Sequence, residues 1–323
     1  MRTIATADVG GTHARFALAS IEDGRVVHLG DPVTVKTAEF SSFQHAWHEF
    51  GKQIDQPLPK ELGLAFAGPV GGEVLKLTNN PWVIRPALME ERLGVEQFVI
   101  VNDFAAIAHA VAGFDQSAYH HVCGPERDLP SVGINSIVGP GTGLGVAAVL
   151  QKEDGSHEVI ATEGGHIDWA PLDPLEDKIL QYLRKNFRRV SVERVLSGRG
   201  LHNIYEALAT IEKRPFTQME DKELWSIALA GSDTLASAAL DRFCLVFGAA
   251  AGDFALAQGA QGVVLAGGLG LRLVDYLPRS GFRDRFIAKG RFERMMDEMP
   301  VKVITYPQPG LFGAAAAFAS SHP

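Results

Sequence analysis

The stretch RTIATADVGGTHARFALAS (residues 2–20) decides how this chain is read. Residues 2–9 form a short, largely apolar run with Asp8 near its end, Gly10-Gly11-Thr12 is a turn signal, and residues 14–20 read as a second strand. Glu22-Asp23-Gly24 turns the chain again, and residues 26–29 continue the meander. The chain therefore opens with antiparallel strands and not with a βα unit. Outward from this start, residues 41–54 carry apolar side chains at 43, 46, 47, 50 and 54, a helical spacing with Ser41 or Ser42 as N-cap. Short apolar strands follow at 62–67, which runs into Gly68-Pro69, and at 98–101, which runs into Asn102-Asp103 and a helix over 104–111. Functional groups collect at such strand ends in open α/β sheets.

Further on, 136–138 and 146–150 read as strands around the loop 139–145, and 158–162 as another strand. Helices are expected at 175–189, at 191–208 and at 234–257, the last either one long helix or a bent pair. Residues 262–266 form a strand closed by Gly267-Gly268, 301–305 the final strand, and 310–319 an Ala-rich helix. Strands alternating with helices give an α/β fold.

Composition bounds the class. With 323 residues, about two domains are expected. Hydrophobic residues at 46% and charged residues at 21% supply a large core and exclude wholesale disorder. A net charge of −8 and a pI near 5.8 argue against nucleic acid or an anionic membrane held by bulk charge. Cys123 and Cys244 are too few for a disulfide framework or a structural zinc site, which suits a reducing cytoplasm. The N-terminus reads as a strand rather than a signal peptide, and the apolar run 314–319 is too short to span a bilayer.

Three glycine clusters follow three apolar strands: Asp8-Val9-Gly10-Gly11-Thr12, Gly139-Pro140-Gly141-Thr142-Gly143-Leu144-Gly145, and Ala266-Gly267-Gly268-Leu269-Gly270. Each alone reads as a tight turn. Together, and with two Thr hydroxyls, they suit nucleotide phosphates approached by backbone amides. The dinucleotide fingerprint is met only in part by Gly143, Gly145 and Ala148, with Glu163 about 20 residues on; because 146–150 reads as a strand, this loop is a hairpin, which counts against NAD. No Gly-Lys-Ser or Gly-Lys-Thr tripeptide of a Walker loop occurs. Asp8, directly before Gly-Gly-Thr, either caps that turn or holds Mg²⁺ of a bound nucleotide through waters. Asn102, Asp103, Glu163, His166 and Glu193, with the polar turn at Asn79-Asn80, match the hydroxyls of a sugar. Asp103 suits a general base toward a hydroxyl. The plainer readings are a turn or helix cap for Asn102-Asp103, a surface pair with Arg188, Arg189 or Arg194 for Glu193, and a structural role for His166.

Asp8-Val9-Gly10-Gly11-Thr12, Asn102-Asp103-Phe104, Gly141 to Gly145, Glu163-Gly164-Gly165-His166, Glu193 to Gly198 and Ala266-Gly267-Gly268 occur in the order seen in bacterial glucokinases. Over residues 3–319 the chain resembles the non-zinc bacterial glucokinase family, within the hexokinase, actin and Hsp70 superfamily. The resemblance implies two ribonuclease-H-like (actin-like ATPase) domains around a cleft, divided as 1–113 plus 304–323 and 114–303, with the C-terminal helix returning to the first. It implies phosphorylation of glucose at the 6-hydroxyl by ATP with Mg²⁺, giving glucose 6-phosphate and ADP in a glycolytic, cytoplasmic, homodimeric enzyme. Asp103 would be the catalytic base. Asn102, Glu163, His166 and Glu193 would bind glucose, with Asn79 or Asn80 at its border. Asp8, Val9, Gly10, Gly11 and Thr12, together with Gly141, Thr142 and Gly143, would cradle the phosphates. Gly267 and Gly268 would lie near the adenosine, and Asp8 would serve the metal.

The chain departs from the family pattern at His13, where many relatives have Asn, at Pro140 inside the phosphate loop, and at Arg199, where others have Pro. A kinase for mannose, fructose or an N-acetylated sugar is the alternative within the class; a non-catalytic sugar-responsive regulator is the alternative outside it. ADP or polyphosphate as donor is left open by glycine loops alone.

Overall fold

Asp8 lies opposite Arg15 in the computed structural model of the protein, because strands β1 (Arg2–Val9) and β2 (His13–Glu22) pair antiparallel across the Gly-Gly-Thr turn. The structure describes residues 1–54, 56–77, 80–216 and 218–322. The meander continues through β3 (Arg25–Leu29) and β4 (Val33–Lys36), both paired with β2. Helix α1 (Phe43–Gln53) begins where the Ser42 hydroxyl accepts from the His45 amide, and it buries Phe43, Ala46, Trp47 and Phe50 on one face. β5 (Glu61–Phe66) joins β1 in parallel. The small hairpin of β6 (Leu75–Lys76) and β7 (Val83–Ile84) and helix α2 (Met89–Leu93) lead to β8 (Gln97–Asn102), parallel to β5. α3 (Asp103–Gly113) follows without a linker. The first sheet thus has the order β3-β2-β1-β5-β8 with β4 also on β2.

A second sheet repeats the pattern. It is built from β9 (Tyr119–Cys123), β10 (Gly133–Pro140), β11 (Leu144–Gln151) and β12 (His157–Thr162). Helices α4 (Pro174–Leu183), α5 (Gly198–Ile211), α6 (Asp221–Ala230) and α7 (Thr234–Gln258) come next. β13 (Gly262–Leu265), α8 (Gly267–Arg272), α9 (Phe282–Ile287), α10 (Glu293–Asp297) and β14 (Val301–Ile304) complete it. Its order is β12-β11-β10-β13-β14-β9, with an antiparallel β10–β11 hairpin and parallel β13 and β14 beside it. Antiparallel meander followed by parallel strands is the ribonuclease-H-like arrangement, here present twice, as the sequence leads one to expect.

The chain divides into two compact units: residues 1–115, 153–161 and 306–323, and residues 116–152 and 162–305. The sequence boundaries kept 153–161 with the second unit; those residues group with the first, where the His157 Nε2 meets His109 Nδ1 at 2.8 Å. α11 (Pro309–Ser321) belongs to the first unit and packs on α3, β5 and β1. The contact is close enough that a Cβ on Gly313 would collide with the Ala106 carbonyl.

In the second unit α7 is one continuous helix, capped by Asp233, whose carboxylate accepts from the Ala236 amide. By length and composition it is apolar enough to cross a membrane, but most of its apolar window is buried in the core of this unit. Two expected helices are corrected. Residues 175–189 are not one helix: α4 ends at Leu183, and the chain turns so that the Val190 carbonyl accepts from the Trp169 amide at 3.0 Å. Residues 191–208 break as well, into a single 3₁₀ turn at Val192–Arg194 and α5, which starts only after the Ser197 hydroxyl accepts from the Gly200 amide.

Candidate active site

In the first unit, β1, β5 and β8 run parallel, and their carboxyl ends carry Asp8, Gly68 and Asn102-Asp103. Asp8 is held by the hairpin register, with Arg15 Nη1 3.4 Å from its Oδ2. Burial raises the Asp8 carboxyl above the usual carboxylate range, and the Arg15 guanidinium opposes that rise. The adjacent turn is pinned through its carbonyls. Gly11 accepts from the Thr37 hydroxyl (2.7 Å) and the Asn80 amide (3.2 Å), and Thr12 accepts from the Thr37 backbone N–H (3.0 Å).

Asn102 is the N-cap of α3. Its Oδ1 accepts from the amides of Phe104 (2.9 Å) and Ala105 (3.3 Å), and its Nδ2 donates to the Gly68 carbonyl at 3.4 Å. The plainer reading of Asn102 as a cap therefore holds, and with one Nδ2 N–H on the Gly68 carbonyl the second is its remaining means of meeting a ligand. Asp103 opens the helix. Burial pushes its carboxyl up to about 6, against the pull of the Phe104 amide, and the neighbouring Asp8 charge adds to the rise. A carboxylate poised near neutrality is suited to take a proton from a hydroxyl.

In the second unit, the Gly141-Thr142-Gly143 tip joins β10 to β11. Gly141 N–H donates to the Gly143 carbonyl (2.8 Å), and the Gly141 carbonyl accepts from Gly198 N–H (2.8 Å). Glu193 sits in the 3₁₀ turn, and its Oε2 accepts from the Leu144 amide at 2.9 Å. Its partner is thus a backbone amide; Arg189 instead bonds Asp168 and the His166 carbonyl, and Arg194 stacks on Phe187. Glu163 precedes and His166 ends another 3₁₀ turn (Gly164–His166), with side chains 84% and 55% exposed and 4.0 Å apart. Gly267 opens α8 with φ +78°, and a Cβ there would lie 2.8 Å from the Pro140 carbonyl, so this turn packs directly on the strand that feeds the glycine tip.

The sequence-selected residues therefore form two groups. Asp8, the Gly10–Thr12 turn, Asn102 and Asp103 gather in the first unit; Gly141–Gly143, Glu163, His166, Glu193, Gly267 and Gly268 belong to the second. Asn79 lies outside the described residues. Its neighbour Asn80 is engaged structurally, accepting from the Trp82 amide at 2.8 Å as well as donating to Gly11. Arg15 and Thr37 are site neighbours that the sequence reading does not single out. Arg15 was within reach, because the strand limits 2–9 and 14–20 put it opposite Asp8.

Among the described residues, no three His, Cys, Asp or Glu side chains gather as a metal-ligand set. A lone carboxylate such as Asp8 fits Mg²⁺, which keeps its waters and is held by one or two carboxylates together with substrate phosphates.

The glucokinase family model matches residues 5–321. The chain is 61% identical over 319 residues to a glucokinase of Zymomonas mobilis, covering 99% of this chain and 98% of that protein. It superposes on the crystal structure of a glucokinase from an Antarctic psychrotroph with a TM-score of 0.87 at 33% identity, covering 98% of this chain and 99% of that one. A glucokinase from Streptomyces griseus, solved in complex with glucose and AMPPNP, shares the fold at a TM-score of 0.62 and 20% identity, over 97% and 98% of the two chains.

Proposed function

This chain belongs to the glucokinase family and phosphorylates glucose at the expense of ATP, and from that premise we propose how its own residues carry the transfer to the 6-hydroxyl. Asp103 accepts the hydroxyl proton as the oxygen attacks the terminal phosphorus of ATP, and the bond from that phosphorus to the bridging oxygen breaks to release ADP. Asn102 holds the first turn of α3, and with it the base, in place. The second Asn102 Nδ2 N–H, Glu163, His166 and Glu193 meet the remaining sugar hydroxyls. The Gly10–Thr12 and Gly141–Gly143 turns present backbone amides to the phosphates. Phosphoryl transfer asks the protein mainly for positioning and for charge stabilisation. Asp8 is the carboxylate that would hold Mg²⁺, which when bound with the nucleotide neutralises charge on the phosphoryl oxygens. The assembly that accompanies this reading is a homodimer in the cytoplasm, and light scattering on the purified protein tests the dimer.

The observation that supports the reading best is the Asp103 carboxyl at the end of β8, first residue of α3, with its pKa pushed up to about 6 by burial. The test is ADP release with MgATP, with and without glucose, and identification of the sugar product. Glucose-dependent release of glucose 6-phosphate is the expected result. Glucose-independent ADP release, or a product phosphorylated elsewhere, would remove the assignment. A panel of mannose, fructose and N-acetylated sugars at equal concentration measures the breadth of the pocket.

A further inference from the structure

Glu193 links the 3₁₀ turn Val192–Arg194 to the glycine tip of the second unit. Its Oε2 accepts from the Leu144 amide at the foot of the glycine tip. A Cβ on Gly143 would lie 2.5 Å from that same oxygen, so the absence of a side chain at Gly143 is what lets the carboxylate reach the loop. The opposite face of Leu144 is bracketed too: a Cβ on Gly165, in the Glu163–His166 turn, would collide with the Leu144 carbonyl. The Gly141 carbonyl, meanwhile, is tied to Gly198, just beyond Glu193. Leu144 is therefore gripped from its N–H side by one proposed sugar ligand and from its carbonyl side by the turn carrying two others.

We infer that Glu193 is a positioning residue for the phosphate loop as well as a sugar ligand: one carboxylate oxygen braces the Leu144 amide, the other meets a sugar hydroxyl, and sugar occupancy thereby sets the glycine tip for the nucleotide. The inference rests on the reading of Glu193 as a sugar ligand. Because the coupling is a binding free energy, it is reciprocal: what tightens the nucleotide when sugar is bound tightens the sugar when nucleotide is bound.

The test uses calorimetry on the full chain with glucose and with AMPPNP, each alone and together. In the unaltered protein, glucose tightens AMPPNP binding severalfold. Gly143→Ala, a change in the nucleotide loop, weakens glucose binding at least fivefold with no nucleotide present, because the new Cβ displaces the carboxylate. Glu193→Ala weakens AMPPNP binding at least threefold with no sugar present, and Glu193→Gln, which keeps an acceptor for the Leu144 amide, restores it to within twofold. If Glu193→Ala weakens glucose binding while Gly143→Ala leaves it unchanged, the brace is overturned and the ligand role survives. If neither variant alters glucose binding, the ligand role falls and the inference falls with it. Should Gly143→Ala not fold, unchanged AMPPNP affinity in Glu193→Ala is sufficient to overturn the brace.

Discussion

Gly310, in the first turn of α11, faces Asp8 so closely that a Cβ at that position would lie 2.8 Å from the Asp8 Oδ2. The C-terminal helix therefore leaves room for the carboxylate at the end of the first strand. Arg15 reaches the same oxygen, so Asp8 is confined by elements far apart in sequence. Gly310→Ala is expected to displace the carboxylate, raising the Mg²⁺ concentration needed for half-maximal rate at least threefold. Glucose affinity measured without nucleotide should stay within twofold. Rates across a Mg²⁺ titration, with calorimetry for the sugar, check both.

Asp103→Asn removes the proposed base and keeps the shape. Turnover should fall by about 10²–10⁴-fold, the usual worth of general-base assistance, while glucose still binds. Steady-state rates paired with sugar calorimetry separate the two effects; near-normal turnover would take Asp103 out of the role.

The pH profile follows from the same group. Asp103 must be ionised to accept a proton, and its pKa lies at about 6. Activity should be full above that pH and decline as pH falls through it, with kcat/KM reporting the free enzyme. A profile flat down to pH 5 would contradict the assignment.

Stability should move the other way. Burial raises the Asp103 pKa above its ordinary value, so the contribution of this group to folding is present below about 3.8, the unperturbed value, and is lost as pH rises to about 6. Asp103→Asn should therefore melt higher than the unaltered protein at pH 7–8. That advantage should shrink between pH 6 and 4, as differential scanning calorimetry would register.

Arg242 and Arg285 converge on Asp173 and Glu176 at the start of α4, with Arg242 Nη1 2.9 Å from Glu176 Oε1 and Glu176 only 2% exposed. Burial works against the Asp173 charge, but the Glu176 amide and the Arg242 guanidinium hold its carboxyl below the usual range. Arg242→Met should cost about 1–3 kcal/mol, the loss typical of removing a hydrogen bond to a charged group, because Arg285 still faces both carboxylates. Thermal denaturation measures it, and the loss should diminish at acid pH as Asp173 takes up a proton.

Much of this was legible in residues 2–20, because a strand, a Gly-Gly turn and a second strand leave one way to pair, and that pairing carries Asp8 and Arg15 to the same level. Asn102-Asp103 was legible for a similar reason: an apolar strand ran out into two polar residues before a helical spacing. The break after Leu183 was hidden, since Phe187 extends the apolar period of α4 and no Gly or Pro marks the stop. Phe187 is instead held under Arg194, 4.3 Å away, a tertiary contact that no local pattern encodes. The break before α5 had its signal in Ser197-Gly198 and was overridden by the apolar residues on either side. The brace between Glu193 and Leu144 joins positions 49 apart and had no sequence signature.

The placement of α11 also orders events during synthesis. The first unit is begun by the strands that leave the ribosome earliest, yet the helix that covers them is made after all of the second unit. Until then Gly63, Ala106 and Ile4 lack the α11 residues that pack on them, and Asp8 has Arg15 beside it but not Gly310. A chain that stops before α11 would therefore complete the second unit while the sheet of the first still lacks the helix that packs on β1 and β5.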